Sequence, residues 1–406
     1  MRDIFLVACT RRKLDERAPA RDLYISPRFK NARKIAEKYG NRWFILSAKH
    51  HLLSPNKAIK PYDLSLASFS QCKREAWAQT VLDDLLPKLR AGDRITILAD
   101  ETYSENLARI LRRSGFMIRQ PLLNRSSESQ LEWLNAIANN SSRLQHLNQF
   151  YSLLDRLQHG VGGMRIFQKS VGKTGWPNKG VYFFFEDAET RFLPPYPLRV
   201  VRVGTHGVSA GSRSTLWMRL RTHRGTKSGG GGHRSSILRL HIGAAILAKS
   251  RGKLKFPTWG VGQYANSDIT AKEARLEQAV SKYISRMKIL WLAINDSPSP
   301  LSDRAYIERN AISLLAGPFG PLDPASDLWL GNKSPHPAIR RSALWNVDYV
   351  GNSYDERFLE VVEQYVSVTL GETPEPPSSL APPDWHKSKK HLGLPEQAHL
   401  FPMEAP

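Results

Sequence analysis

Hydrophobic positions in the first 125 residues fall into short continuous runs separated by helical repeats. Ile4–Ala8, Trp43–Leu46 and Ile95–Leu98 are apolar runs of strand length, the pattern of strands buried on both faces. Pro27–Tyr39, Ser68–Leu89 and Glu101–Arg113 read as helices. The first has proline at an early helical position, and the third runs out at Gly115. Strands alternating with helices predict a parallel-sheet α/β domain over residues 1–125.

Residues 126–164 read as a helical connector. Leu144, Leu147, Tyr151, Leu154 and Leu157 recur at three- and four-residue spacing after the polar break Asn139-Asn140-Ser141-Ser142. From 165 the pattern turns β-rich. Gly180–Glu186 and Leu198–Gly204 are strand candidates on either side of Pro194-Pro195. Helices are expected near Leu216–His223, Ser235–Ala248, Ala271–Ala293, Asp303–Leu315 and Glu356–Val368. The fold class is therefore α/β plus α+β, with a second domain over 165–370. Beyond it, 371–406 is rich in Pro, Ser and charge and is expected to be a poorly ordered tail.

Composition narrows the class. A chain of 406 residues with 41% hydrophobic content is longer than one core usually covers. No apolar run approaches the roughly 18 residues of a membrane span, and Met1-Arg2-Asp3 begins a strand-like segment and no signal peptide. Cys9 and Cys72 give neither a disulfide framework nor a zinc signature, which predicts a reducing, cytoplasmic location. The net charge of +22 points to a polyanionic partner.

That charge is concentrated. No acidic residue lies between Glu189 and Asp268, while fourteen Lys and Arg lie between Arg191 and Lys255. One sign over so long a stretch predicts a phosphate track, with Arg213, Arg221, Arg224, Lys227 and Arg234 as candidate nucleic-acid contacts. Neutralising roughly six to ten phosphates would lower affinity about 10³–10⁵-fold between 50 and 200 mM salt. Trp217, Trp259 and Tyr264 are interleaved, with Trp217 expected in the core. Gly229–Gly232 forms a loop that is either mobile or ordered on DNA.

The same region carries four pieces in order: Gly180-Val181-Tyr182, Arg202-Val203-Gly204, Arg219 with His223 four residues on, and Glu308 in Tyr306-Ile307-Glu308-Arg309-Asn310. Spacing of four puts Arg219 and His223 on one helix face. A tyrosine, an arginine, a histidine and a glutamate in a positive field are the parts that phosphodiester cleavage needs.

Together, residues 175–350 resemble the GIY-YIG nuclease family. The resemblance implies a small sheet flanked by helices, with Gly180-Val181-Tyr182 as first motif, Arg202-Val203-Gly204 as second and Leu216–His223 as the arginine-histidine helix. It implies Tyr182, Arg219, His223 and Glu308 as catalytic residues, with Glu308 holding Mg²⁺ or Mn²⁺. Mg²⁺ takes few carboxylates and several waters, so one carboxylate is enough. Arg219 would clamp phosphate oxygens, while Tyr182 and His223 would manage the proton of the attacking water. Arg202 stands where the family has its second tyrosine; His206 or His223 covers its role, or one tyrosine suffices. Arg202 and His206 join the candidate nucleic-acid contacts. The family's late asparagine is assigned to Asn346, with Asn310 as rival.

Residues 4–125 carry Ala8-Cys9-Thr10-Arg11-Arg12-Lys13, Ala20-Arg21-Asp22-Leu23-Tyr24 with Ser26-Pro27, Leu46-Ser47-Ala48-Lys49-His50 and Pro61-Tyr62-Asp63. These pieces resemble a bacterial and phage domain of uncharacterised function, distantly similar to the YaaA peroxide-stress proteins; His51 replaces its usual glycine. Two pieces follow predicted strands directly, so Cys9, Lys13, Lys49, His50 and Asp63 are expected to form a pocket. The combined reading is a metal-dependent DNA endonuclease of phage defence or restriction, whose N-terminal domain senses the target, which carries a modified base in one version. Double-stranded DNA is the expected substrate, with RNA left open. The alternatives are a DNA-binding protein with an inactive nuclease fold, and base or nucleoside processing by the N-terminal domain.

Overall fold

The computed structural model describes residues 2–173, 175–226 and 228–387. The chain divides into two compact units, Met1–Leu144 and Gln145–Pro406.

Unit 1 runs β1 (Asp3–Ala8), β2 (Ala18–Pro19), α1 (Ala20–Leu23), α2 (Pro27–Tyr39), β3 (Arg42–Ser47), β4 (His51–Leu53), β5 (Ala58–Ile59), α3 (Gln71–Leu85), β6 (Arg94–Leu98), α4 (Glu101–Arg113), β7 (Met117–Arg119) and α5 (Ser127–Ala138). Its main sheet has the order β4-β3-β1-β6-β7. β1 pairs in parallel with both β3 and β6, and β4 alone is antiparallel. Ile4, Leu6, Ile45, Leu46, Ile95 and Ile97 are fully buried, as the continuous apolar runs require. Ser26 and Ser70 cap α2 and α3 through their hydroxyls. His51 sits at φ +54°, in the left-handed region that a glycine occupies without strain.

The division between the units falls inside α6 (Ser142–Gly160), within the segment read as a connector. α5 packs on α2 and so belongs to unit 1.

Unit 2 continues with β8 (Arg165–Ile166), β9 (Gly180–Thr190), β10 (Leu198–Gly204), α7 (Leu216–Arg224), α8 (Ile237–Lys249), α9 (Ser267–Ile284), β11 (Lys288–Ala293), α10 (Asp303–Ala316), α11 (Pro337–Ser342) and α12 (Phe358–Thr369). Its sheet is antiparallel, in the order β10-β9-β11-β8. One expectation fails here. The helix expected over Ala271–Ala293 ends at Ile284, and Lys288–Ala293 is the strand that pairs along β9. Ile289-Leu290-Trp291-Leu292 is apolar on both sides, which suits a buried strand and a buried helix equally; pairing with β9 decides. Side chains of β9 alternate. Tyr182 and Phe184 join the core built with Leu216, Leu220, Leu238 and Val280, whereas Phe183 meets Phe150 of α6, ring centroids 5.8 Å apart.

The expected tail is partly fixed. Ser379, Leu380 and Ala381 all donate to the Asp303 carboxylate at the start of α10. Residues 388–406 lie outside the described residues.

Candidate active site

β9 and β10 pair so that Tyr182 faces Gly204 and Phe184 faces Arg202. Opposed residues project to the same side of a sheet, so Tyr182 and Arg202 share one face. The Tyr182 hydroxyl lies 2.7 Å from Nε2 of His223 on α7. Nδ1 of His223 lies 2.7 Å from Oγ of Ser236, which also caps α8 by accepting the Arg239 N–H. All three side chains are buried. Burial, and then the charges of Arg219, Arg202 and Arg239, hold the His223 pKa well below the usual imidazole value. A neutral imidazole has one donor and one acceptor nitrogen, so the chain Tyr182–His223–Ser236 has a direction.

Arg219 stands one turn before His223 on α7 and is partly exposed. Its Nη1 reaches the Ser235 carbonyl only at 3.4 Å, and its enclosed Nε has no hydrogen-bond partner among the described residues. Its charge acts on His206, His223 and Glu308.

Glu308 lies on α10, which packs against β9 and β10. Its Oε1 accepts the Thr205 N–H, 3.0 Å away, just past the end of β10. Burial pushes its carboxyl up to about 7, against the downward pull of Arg202, the Thr205 amide and Arg219; Asp348 adds a small upward push. Near neutrality this carboxyl is balanced between its two forms.

Among the described residues no group of three or more His, Cys, Asp or Glu is placed to hold a metal ion. A divalent cation that keeps most of its waters needs less, and a lone carboxylate with Asp348 in its field fits that requirement. The neighbouring guanidiniums disfavour a cation there until a phosphate arrives between them.

The expected nucleic-acid contacts separate into two groups. Arg213 and Arg221 are exposed and have no carboxylate partner among the described residues. Arg224 is partly exposed, bonds to the Ser170 carbonyl and lies 5.0 Å from the Trp217 ring centroid. Lys227 lies outside the described residues. The others face inward. Arg202 is buried, with Nη1 donating to the Trp345 carbonyl at 2.6 Å, and it serves as a fixed charge beside His223, His241 and Glu308. Arg234 makes a two-pronged pair with Glu273, at 2.6 and 2.9 Å. Buried His206 is held down to about 4 by its burial and by Arg304, Arg219 and Lys179, against the Ser214 backbone. Asn346 acts as a strand partner: its amide donates to the Val203 carbonyl at 2.8 Å and accepts the Val203 N–H at 3.1 Å. It thereby covers the free edge of β10. Asn310 ties α10 to Asp355.

The acid-free stretch is also less free than its sequence suggests. Arg191, Arg199, Arg234 and Arg239 pair with Asp323, Glu189, Glu273 and Glu277, carboxylates from outside the run. The loop before α8 is closed by the Thr226 N–H bonding to the Gly230 carbonyl at 2.8 Å. Trp259 is buried, stacked on His233 with centroids 3.8 Å apart, whereas Tyr264 is exposed. Trp217 is only partly buried, stacked on Trp176.

In unit 1, Lys13, Lys49 and His50 gather around Tyr62, and Asp63 lines a cleft with Lys13. Cys9 is buried, its Sγ 3.3 Å from the Tyr103 hydroxyl.

Sequence reasoning missed Thr205, Ser236 and Asp348. Ser236 was readable only as a helix cap, and nothing local marks a backbone amide such as that of Thr205.

A family model described as the GIY-YIG domain matches residues 141–371. Another, described as a family of unknown function (DUF6884), matches residues 4–136. No curated protein and no solved structure matches the chain.

Proposed function

The chain belongs to the GIY-YIG family, a family of endonuclease-type hydrolases that act on nucleic acid and use divalent metal ions, and on that premise we propose that it is a Mg²⁺- or Mn²⁺-dependent DNA endonuclease. The observation that carries this reading is the Tyr182–His223–Ser236 chain, with the charges of Arg219 and Arg202 reaching both His223 and Glu308.

Glu308 would hold the metal ion, which when bound supplies positive charge against the anionic phosphate in the transition state. Arg219 faces the same phosphate, and its unpartnered Nε is free to donate to an oxygen. With Nδ1–H donating to Ser236, the Nε2 lone pair of His223 accepts the Tyr182 proton, and the phenolate then takes the proton of the attacking water. Burial, with the charges of Arg219, Arg202 and Arg239, keeps His223 neutral, so its Nε2 lone pair is open to accept, while making it a weaker base than a free imidazole. Tyr182 and His223 are enclosed, so the substrate has to open their cover. Double-stranded DNA is the substrate in this reading, in the cytoplasm, in defence against phage or in restriction. Unit 1 senses the target.

That enclosure and Arg202 in the second motif also favour a second reading, a nucleic-acid-binding protein whose nuclease fold is inert. Supercoiled plasmid, with Mg²⁺, Mn²⁺ or EDTA, separates the two. Nicking that needs metal supports the nuclease. Binding without any cleavage, on plain and modified phage DNA alike, supports the second reading.

A further inference from the structure

Unit 1 has an open cleft on its surface. Its main sheet places β3 on one side of β1 and β6 on the other, so the chain leaves the carboxyl ends of β1 and β6 in opposite directions. In open α/β sheets that is where ligands bind. Cys9 and Thr10 follow β1, Lys49 and His50 follow β3, and Tyr103 lies on the helix after β6. Beside them Arg11, Lys13, Leu14, Asp15, Tyr62 and Asp63 line a cleft of about 440 Å³, within the range of roughly 300–1,000 Å³ typical of small-molecule sites.

Behind Tyr62, which lines the cleft, runs a buried chain of hydroxyls. Tyr62 Oη lies 2.7 Å from Ser47 Oγ and 3.0 Å from Tyr24 Oη. Burial raises the pKa of both tyrosines, so they stay neutral. Lys13 Nζ sits 4.4 Å from the Tyr62 ring centroid.

Some cations of the unit are paired and others are not. Arg2, Arg28, Arg33, Arg94 and Arg109 each meet a carboxylate. Arg11, Arg12, Lys13 and Lys49 make no ion pair among the described residues, although Asp15 and Asp63 line the same cleft. Unpaired cations over neutral hydroxyls suit an anionic group. Asp63 lies in the field of Lys13 without a direct ion pair, and both carboxylates can accept N–H or O–H donors of the same ligand.

We propose that this cleft binds a mononucleotide, its phosphate on Arg11 and Lys13 and its base or sugar donors on Asp63 and Asp15, either as a free nucleotide or as a unit everted from a strand. The inference deepens the target-sensing reading of unit 1 and is independent of strand cleavage. Everting a base is cheapest where the base is unpaired.

The test uses the full chain and its Lys13→Met and Asp63→Asn variants, with thermal unfolding as the fold control. Calorimetry measures binding of the four deoxynucleoside 5′-monophosphates and of inorganic phosphate. A second arm compares a duplex carrying one unpaired nucleotide with its fully paired counterpart. Saturable binding of a free monophosphate, weakened at least tenfold in both variants, supports the site with a free ligand. Preference for the unpaired duplex, lost in both variants, supports it with an everted one. Inorganic phosphate binding as tightly as every nucleotide overturns the proposal. So does binding or preference that survives unchanged in well-folded Lys13→Met, or the absence of both.

Discussion

Gly204 leaves the space in which the Tyr182 phenol lies: a Cβ built at 204 would come within 2.3 Å of both Cζ and Oη of Tyr182. Since the two residues face each other across β9 and β10, the glycine of the second motif positions the tyrosine of the first. Gly204→Ala is expected to displace the phenol from His223, lower cleavage at least tenfold and destabilise unit 2 by about 1–3 kcal/mol through overpacking. Cleavage rates and denaturant unfolding check this.

Ser236 is expected to matter beyond its cap. Ser236→Ala removes the group that orients His223 as well as the cap of α8, and the cap alone is worth about 1 kcal/mol. Ser236→Thr keeps both hydroxyl functions and should restore cleavage, whereas Ser236→Asp restores the cap but adds a charge beside His223. A shift of the pH–rate profile in Ser236→Asp to higher pH is the signature of the oriented imidazole.

Glu308 gives a pH dependence of definite sign. Its carboxyl is raised from 4.5 to about 7 in the folded chain, so the folded state holds the proton more tightly. That contribution is present below about pH 4.5 and is lost as pH rises through 7. Without metal, Glu308→Gln should therefore match wild type near pH 5 and be more stable near pH 8. Discounting for its partial exposure, the gain is about 1–2 kcal/mol. Millimolar Mg²⁺ should stabilise wild type at pH 8 and leave Glu308→Gln unchanged. His206 and His241, lowered to about 4 and about 3, act in the opposite sense: their contribution is present above about 6.5 and declines as pH falls towards those values.

The order of the site was legible because it rests on local patterns. The glycine-bounded strands, the i,i+4 pair on α7 and the helix carrying Glu308 all lie where their periodicity puts them. What the sequence hid depends on partners far along the chain. Ile289–Leu292 is a strand because β9 pairs with it. Arg234 and Arg239 look like free cations until Glu273 and Glu277 on α9 are brought to them. Asn346 reads as polar and available until its amide meets Val203.

That neutralisation changes the expected salt response. Pairing removes four of the fourteen; if of the rest only Arg213 and the α7 residues Arg219, Arg221 and Arg224 face phosphates, about four contacts give a slope of roughly −3.6 in log affinity against log salt. Affinity for plain duplex DNA should then fall about 10²-fold between 50 and 200 mM salt, in place of the steeper loss that the uninterrupted charge run suggests. Arg221→Ala should reduce the slope by about one, and Arg234→Ala should leave it unchanged while destabilising the fold.

The central claim is that Glu308 and Arg219 act together on one phosphate. Single-turnover cleavage of supercoiled plasmid by wild type, Glu308→Ala, Arg219→Ala and the double variant tests it most directly. The expected result is metal-dependent nicking by wild type, a loss of at least 10²-fold in each single variant, and a double variant little worse than either. Metal-dependent nicking that persists at the wild-type rate in Glu308→Ala, or losses that simply multiply in the double variant, would contradict it.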